Sequence, residues 1–324
     1  MDNQPMLETI EPEIVERLAT RAEEIEQGSP ARPGVVAALA LGSIPIALAA
    51  LSSEARAQSG ISAAVKGVLD FALALEIFEN EFYKAVLGSS LVPAQNAAFA
   101  PVRALAAAVP GAVATLQQIQ KHEAAHVATL LATGATNVFN LTGASFDFTG
   151  ARGAGNGPFA KATTDLAFLL QVAQAAEDTG VRAYKGQAAN LISNAAVLEA
   201  ALRIHSVEAR HAARIRRMRR AAANAPDSVR WSGTVRGGGA AAAGATDAGP
   251  QAAAVTAAIE RIYGAGATAT SAPSEANVTH AGINVSTLSG ANFGIEAAQE
   301  AFDEPLDRAD VIAIVQPFFI PTVQ

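Results

Sequence analysis

From Ser62 onward, apolar positions recur at helical spacing in four long runs separated by glycine, proline and asparagine. A first helix is predicted from Ser62 to Leu87, stopped by Gly88. A second opens at Pro110, a favoured first-turn residue, and ends before Gly134. A third runs from about Thr163 towards Ala189, and a fourth from Asn194, a good N-cap, to Ala223. Between the first two, Pro93 to Val109 leaves room for a short extra helix. Leu73, Leu75 and Phe78, then Leu169, Leu170 and Val172, then Leu198, Leu202 and Ile215 mark core-facing stripes.

The link between the second and third helices has another character. Gly134 to Pro158 is rich in Gly, Asn, Thr and Phe, and the alternation over Asn137–Phe148 predicts a small hairpin. Extended, this stretch spans up to about 80 Å, more than a helix length. It therefore lets the third helix start at the far end, which gives an all-α four-helix bundle with one long crossover.

The two ends read differently from the middle. Residues 2–27 are polar and mostly acidic, with Ile14, Val15, Leu18, Ala22 and Ile25 at helical spacing. The uncharged run Gly34–Leu51 follows, then Ala55-Arg56-Ala57, which resembles an export signal with mature protein starting near Gln58. The long acidic flank and Pro45 leave two alternatives, a packed helix in a cytoplasmic protein and a membrane contact through residues 34–51. After Ala223, Arg236–Ser271 is rich in Gly, Ala and Thr, with a helical piece near Ala253–Tyr263. Gly294–Phe319 regains apolar periodicity. The expected organisation is a leader over 1–58, a bundle over 59–223, and over 224–324 an extended tail with short helices packed on the bundle.

Composition agrees with packed helices: half of the 324 residues are hydrophobic but only 5% aromatic. The excess is alanine, roughly a quarter of the chain and the best helix former. A net charge of −7 argues against a nucleic-acid-coating protein. The absence of cysteine removes disulfides, thiolate metal sites and iron–sulfur clusters. Any metal must be held by His, Asp and Glu.

Those residues form a repeat. The first helix carries Glu76 and, seven residues on, Tyr83; the third carries Glu177 and Tyr184 at the same spacing. The second helix carries Glu123-Ala-Ala-His126 and the fourth Glu208-Ala-Arg-His211. Residues three apart share a helix face, so each E-x-x-H aims a carboxylate and an imidazole at one point. Seven residues is nearly two turns, which keeps each tyrosine on its glutamate's stripe. Four glutamates and two histidines in a bundle core make the ligand set of a di-iron or di-manganese carboxylate centre. A lone glutamate on an alanine-rich helix is usually solvated; the doubled pattern is what singles these six out.

The stretches LDFALALEIFENEFYKAVLG, KHEAAHVATLL, AAEDTGVRAYKGQA, RIHSVEARHAARIR and AFDEPLDRADVIAIVQPF resemble the bacterial ferritin-like-domain family that also contains desiccation-related proteins. The resemblance covers about Val65–Ala223 and the final twenty-odd residues. It implies a ferritin-like bundle with Glu76, Glu123, His126, Glu177, Glu208 and His211 as ligands to two iron ions, manganese being possible. The paired motifs are shared with bacterioferritins and rubrerythrins, so they mark the superfamily rather than one activity.

Neighbouring polar residues carry separate expectations. Glu79, one turn from Glu76, is an alternative ligand, and Glu81 is expected in solvent. His122 is expected to make an interhelical hydrogen bond; His205 would orient Glu208 or replace it. Asp178 should face solvent or a neighbouring helix. Gly180 lowers helix stability by about 1 kcal/mol relative to alanine, and would permit a bulge or a close helix contact. The arginines 214, 216, 217, 219 and 220 should complement the helix end and pair with the acidic tail (Glu296, Glu300, Asp303, Glu304, Asp307, Asp310).

Two functions fit. In one, the centre oxidises Fe(II) with oxygen or peroxide as a ferroxidase- or peroxidase-like stress protein, with Tyr83 or Tyr184 hydrogen-bonding a ligand or donating an electron. In the other, the site is apo or purely structural in a desiccation-stress protein of the cell envelope. Export or a periplasmic location fits both, as does a homo-oligomer smaller than a storage cage.

Overall fold

The computed structural model describes residues 61–222, 250–264, 274–288 and 294–321. The apolar run 34–51 and the expected cleavage near Gln58 lie outside them, and no helix among the described residues is long and apolar enough to cross a membrane.

Four long helices form the body: α1 (Ala63–Leu87), α4 (Ala112–Thr133), α5 (Leu166–Gln187) and α6 (Ala195–Ala222). Between α1 and α4 lie two short ones, α2 (Pro93–Ala98) and α3 (Ala100–Ala107). Local chemistry sets the ends. The Ser62 hydroxyl accepts from the Val65 amide, Asp165 from Phe168, and Asn194 from Val197. Gly88 and Gly134 stop α1 and α4 in the left-handed conformation. The second long helix starts at Ala112 rather than Pro110, because left-handed Gly111 interrupts the backbone between them.

α1 packs on α4 and α5 on α6, giving two hairpins. Contact order along the chain fixes their directions. Glu76 meets Tyr184 while Tyr83 meets Glu177, so α1 and α5 are antiparallel. Asn80 meets Gln120 and Glu76 meets His126, so α1 and α4 are antiparallel as well. Hence α4 and α5 run the same way, which only a long crossover permits.

That crossover is not the hairpin that its alternation predicts. The Asn137 side chain closes a loop on both backbone groups of Leu141, a single 3₁₀ turn spans Gly143–Ser145, and Phe146 forms an isolated bridge with Phe319. Phe146 and Phe148 alternate because both are buried against Phe78 of α1, not because they pair with a strand of their own.

The C-terminal part adds α7 (Pro250–Tyr263), a two-residue hairpin of β1 (Thr279–His280) and β2 (Ile283–Asn284), α8 (Gly294–Glu300) and α9 (Arg308–Val315). It is seated on α5. The Leu306 amide donates to the Arg182 carbonyl, and a Cβ at Gly186 would stand 1.8 Å from the Leu306 carbonyl oxygen, so only glycine allows this approach. Arg182 is buried at the junction, ion-paired with Glu275 at 2.9 Å and donating to the carbonyls of Glu304 and Ile262. Among the arginines of α6, Arg216 pairs with Asp178 and Arg219 donates to Gln174.

Candidate metal centre

Glu76, Glu123, Glu177 and Glu208 are completely buried, and His126 and His211 nearly so. One turn of each long helix places them: α1 and α5 supply a glutamate each, α4 and α6 an E-x-x-H pair each. The structure brings all six together as two overlapping groups, Glu76–Glu123–His126–Glu208 and Glu123–Glu177–Glu208–His211. Within each, one donor atom per residue lies within 4.8 Å of the others. Glu123 and Glu208 belong to both.

Each imidazole turns Nδ1 inward. That of His126 lies 3.1 Å from Glu76, 3.2 Å from Glu123 and 2.9 Å from Glu208. That of His211 lies 2.8 Å from Glu123, 3.1 Å from Glu177 and 3.9 Å from Glu208. One ring nitrogen cannot donate to three oxygens. Glu123 Oε1 and both oxygens of Glu208 are accordingly buried without a directed hydrogen bond. A cation among these oxygens would satisfy them, and two imidazoles with four carboxylates suit iron or manganese.

The tyrosines do not stay with the glutamates of their own helices. Tyr184 donates to Glu76 Oε1 at 2.5 Å, and Tyr83 to Glu177 Oε1. His122 makes the expected interhelical bond, its Nδ1 2.9 Å from Nε2 of His211, and it also meets Gln118. That pairing fixes the ring orientation of His211. Gln118, one turn before His122, was not singled out by the motifs.

Charge is the dominant energy here. Burial lifts the Glu208 carboxyl well above the usual range, aided by Glu123 and Glu76. Burial also lifts Glu123 to about 7, against hydrogen bonds from both histidines. For Glu76 burial raises and His126 lowers, with His126 and Tyr184 hydrogen bonds tipping it below the ordinary value. Burial opposes charge on the histidines, yet the carboxylates win: His126 is held well above its ordinary value and His211 at about 11. Protons thus carry the positive charge that this group of carboxylates demands.

Of four polar neighbours, Glu81 and His205 depart from expectation, and Asp178 faces a neighbouring helix as expected. Glu79 is outside both donor groups but buried beside them; burial and then Glu208, Glu177, Glu123 and Glu76 push its carboxyl well up. Glu81 is buried and paired with Lys84 rather than solvated, since α2 and the crossover cover this end of α1. His205 bonds the Val181 carbonyl instead of Glu208. Asp178 faces α7: it is buried and accepts from the Tyr263 phenol at 2.6 Å, a contact invisible in a motif because Tyr263 lies 85 residues away.

A protein-family model, the ferritin-like domain, matches residues 64–221, which span all four long helices. No curated protein and no solved structure gives a significant match to the chain.

Proposed function

Since residues 64–221 are a ferritin-like domain and the chain a member of the ferritin-like superfamily, we propose that it holds two metal ions between α1, α4, α5 and α6 and uses them, as iron, to react Fe(II) with oxygen or peroxide. The observation that carries this reading is the sharing of Glu123 and Glu208 by both donor groups. Two buried carboxylates common to two sites are what a pair of adjacent cations needs.

The chain's residues divide the work by position. Glu76 with His126 would serve one ion and Glu177 with His211 the other, while Glu123 and Glu208 would be available to both. Tyr184 and Tyr83 each occupy one oxygen of a terminal glutamate, leaving Oε2 of Glu76 and of Glu177 beside an imidazole. Glu79, whose carboxyl burial and the neighbouring carboxylates push well up, can hold or release a proton there. When bound, an iron pair supplies one electron per Fe(II) to the oxidant; manganese suits the same donors.

Anaerobic addition of Fe(II) to metal-free protein, followed by a pulse of oxygen, tests this. Two ions per chain and a rapid oxidation signal, both lost in Glu123→Ala and His211→Ala, are expected. Wild-type protein that binds no metal, or oxidises Fe(II) no faster than buffer, would overturn the reading.

A second reading has one observation in its favour: the donors come from both hairpins, so bound metal also ties the hairpins together. If metal is only a clamp, the same substitutions lower the melting temperature of metal-loaded protein sharply, and there is no oxidation signal to lose.

A further inference from the structure

Beside the carboxylate group, the structure contains a cavity of about 440 Å³ that the four helices alone do not make. Its floor is α5; its walls are α7, the crossover, and α9 with the residues that follow. The lining is mostly hydrocarbon, including Phe159, Phe168, Val172, Ile259, Ile314 and Phe318. The size is that of a small-molecule site.

Glu79 and Arg261 are the charged residues on this lining. Glu79 is buried and Arg261 exposed, so Glu79 lies at the inner end of the lining and Arg261 on its solvent side. Gly180 also lines the cavity, and a Cβ there would lie 3.4 Å from both Glu79 Oε1 and Glu208 Oε2. A single glycine therefore separates the cavity from a bridging carboxylate.

We propose that this cavity binds an alkyl chain with one anionic head, a medium-chain carboxylate, with the head at Arg261 and the chain running in towards Gly180. The polarity follows from the charges. At the solvent side an anionic head meets Arg261, the one cation on the lining, whereas the inner end offers it no cation; a cationic head would be repelled at Arg261. The hydrocarbon wall suits the chain and excludes a polar sugar or nucleotide. Holding a substrate beside the centre is a purpose that rests on the di-metal reading; the binding itself does not.

Calorimetric titration of the full-length chain with decanoate and with decanol, in metal-free and metal-loaded forms, tests the assignment. One decanoate per chain should bind in both forms. Ala258→Trp, which fills the cavity from α7, should abolish binding without changing metal content. Arg261→Gln should weaken decanoate about tenfold, the loss of one charged hydrogen-bonding partner, and leave decanol unchanged. Should Ala258→Trp fail to fold, Ala257→Trp on the exposed part of the same wall carries the same expectation. Decanoate binding that survives the tryptophan, decanol binding as tightly as decanoate, or no decanoate binding in wild type each overturns the proposal. Metal analysis of the same samples separates the two readings. Decanoate binding without metal uptake upholds the cavity and removes the di-metal reading; metal uptake without decanoate binding does the reverse.

Discussion

The phenol of Tyr184 donates a 2.5 Å hydrogen bond to Oε1 of Glu76, on a helix more than a hundred residues earlier in the chain. Tyr83 repays it to Glu177, the glutamate of Tyr184's own helix. The repeat is thus stitched crosswise. Tyr184→Phe would leave a buried carboxylate oxygen without its donor, at a cost of about 1–3 kcal/mol. Urea denaturation of metal-free protein should show a loss of that size, and a shift below a few tenths would contradict it. The metal-loaded protein should lose less, because the freed oxygen can join a cation.

Bridging and terminal glutamates should separate in a stoichiometry experiment. Glu123→Gln and Glu208→Gln each weaken both ion positions, so metal content should fall towards zero. Glu76→Gln and Glu177→Gln should leave one ion. Metal analysis after dialysis decides, and equal losses at all four positions would argue against two overlapping sites.

Glu208 is the position where removal of charge should be harmless without metal. Its carboxyl is pushed well above the usual range by burial and by Glu123 and Glu76, which favours the neutral form that glutamine mimics. Glu208→Gln should change metal-free stability by less than about 1 kcal/mol, read from denaturant midpoints with chelator present.

Metal uptake should release protons. An imidazole must be neutral to ligate, yet His126 is held above its ordinary value and His211 at about 11 in the metal-free protein. Both are therefore protonated at pH 7 and must shed that proton. Affinity should rise as pH increases from 6 to 8, and titration in weak buffer should show acidification. A pH-independent affinity would sink this expectation.

Arg182 joins α5 to the C-terminal segment. Arg182→Leu leaves buried Glu275 without its partner, at a cost of about 3–5 kcal/mol. Limited proteolysis should then release fragments beyond Tyr263 first, while the helical signal of the bundle persists. Uniform digestion throughout would show that the segment is not separately docked.

The bundle and the six donors were legible because both follow local rules. Caps at Ser62 and Asn194 and stops at Gly88 and Gly134 are short-range chemistry, and E-x-x-H needs only helix geometry to aim two groups at one point. What escaped depends on distant partners. Phe146 and Phe148 look like strand residues until Phe78 and Phe319 are placed beside them. Glu81 looks like a surface charge because nothing nearby in sequence reveals the cover over α1, and nothing near Asp178 reveals that its partner is Tyr263. Pro110 is a good helix opener that Gly111 overrules. The crossing of the tyrosines needed the antiparallel register of α1 and α5, which no single-helix spacing contains.

One asymmetry breaks the repeat. Three residues after Glu76 stands Glu79; three residues after its counterpart Glu177 stands Gly180, and the two positions touch. The side chain present in one half occupies the space left open in the other. A centre whose six donors are interchangeable by a half-turn thereby acquires a front and a back. Two chemically identical ions would sit in it with different neighbours, because one of two equivalent positions carries a carboxyl and the other none. Such a pair should be distinguishable spectroscopically as two sites, even though the motif that builds them is one motif used twice.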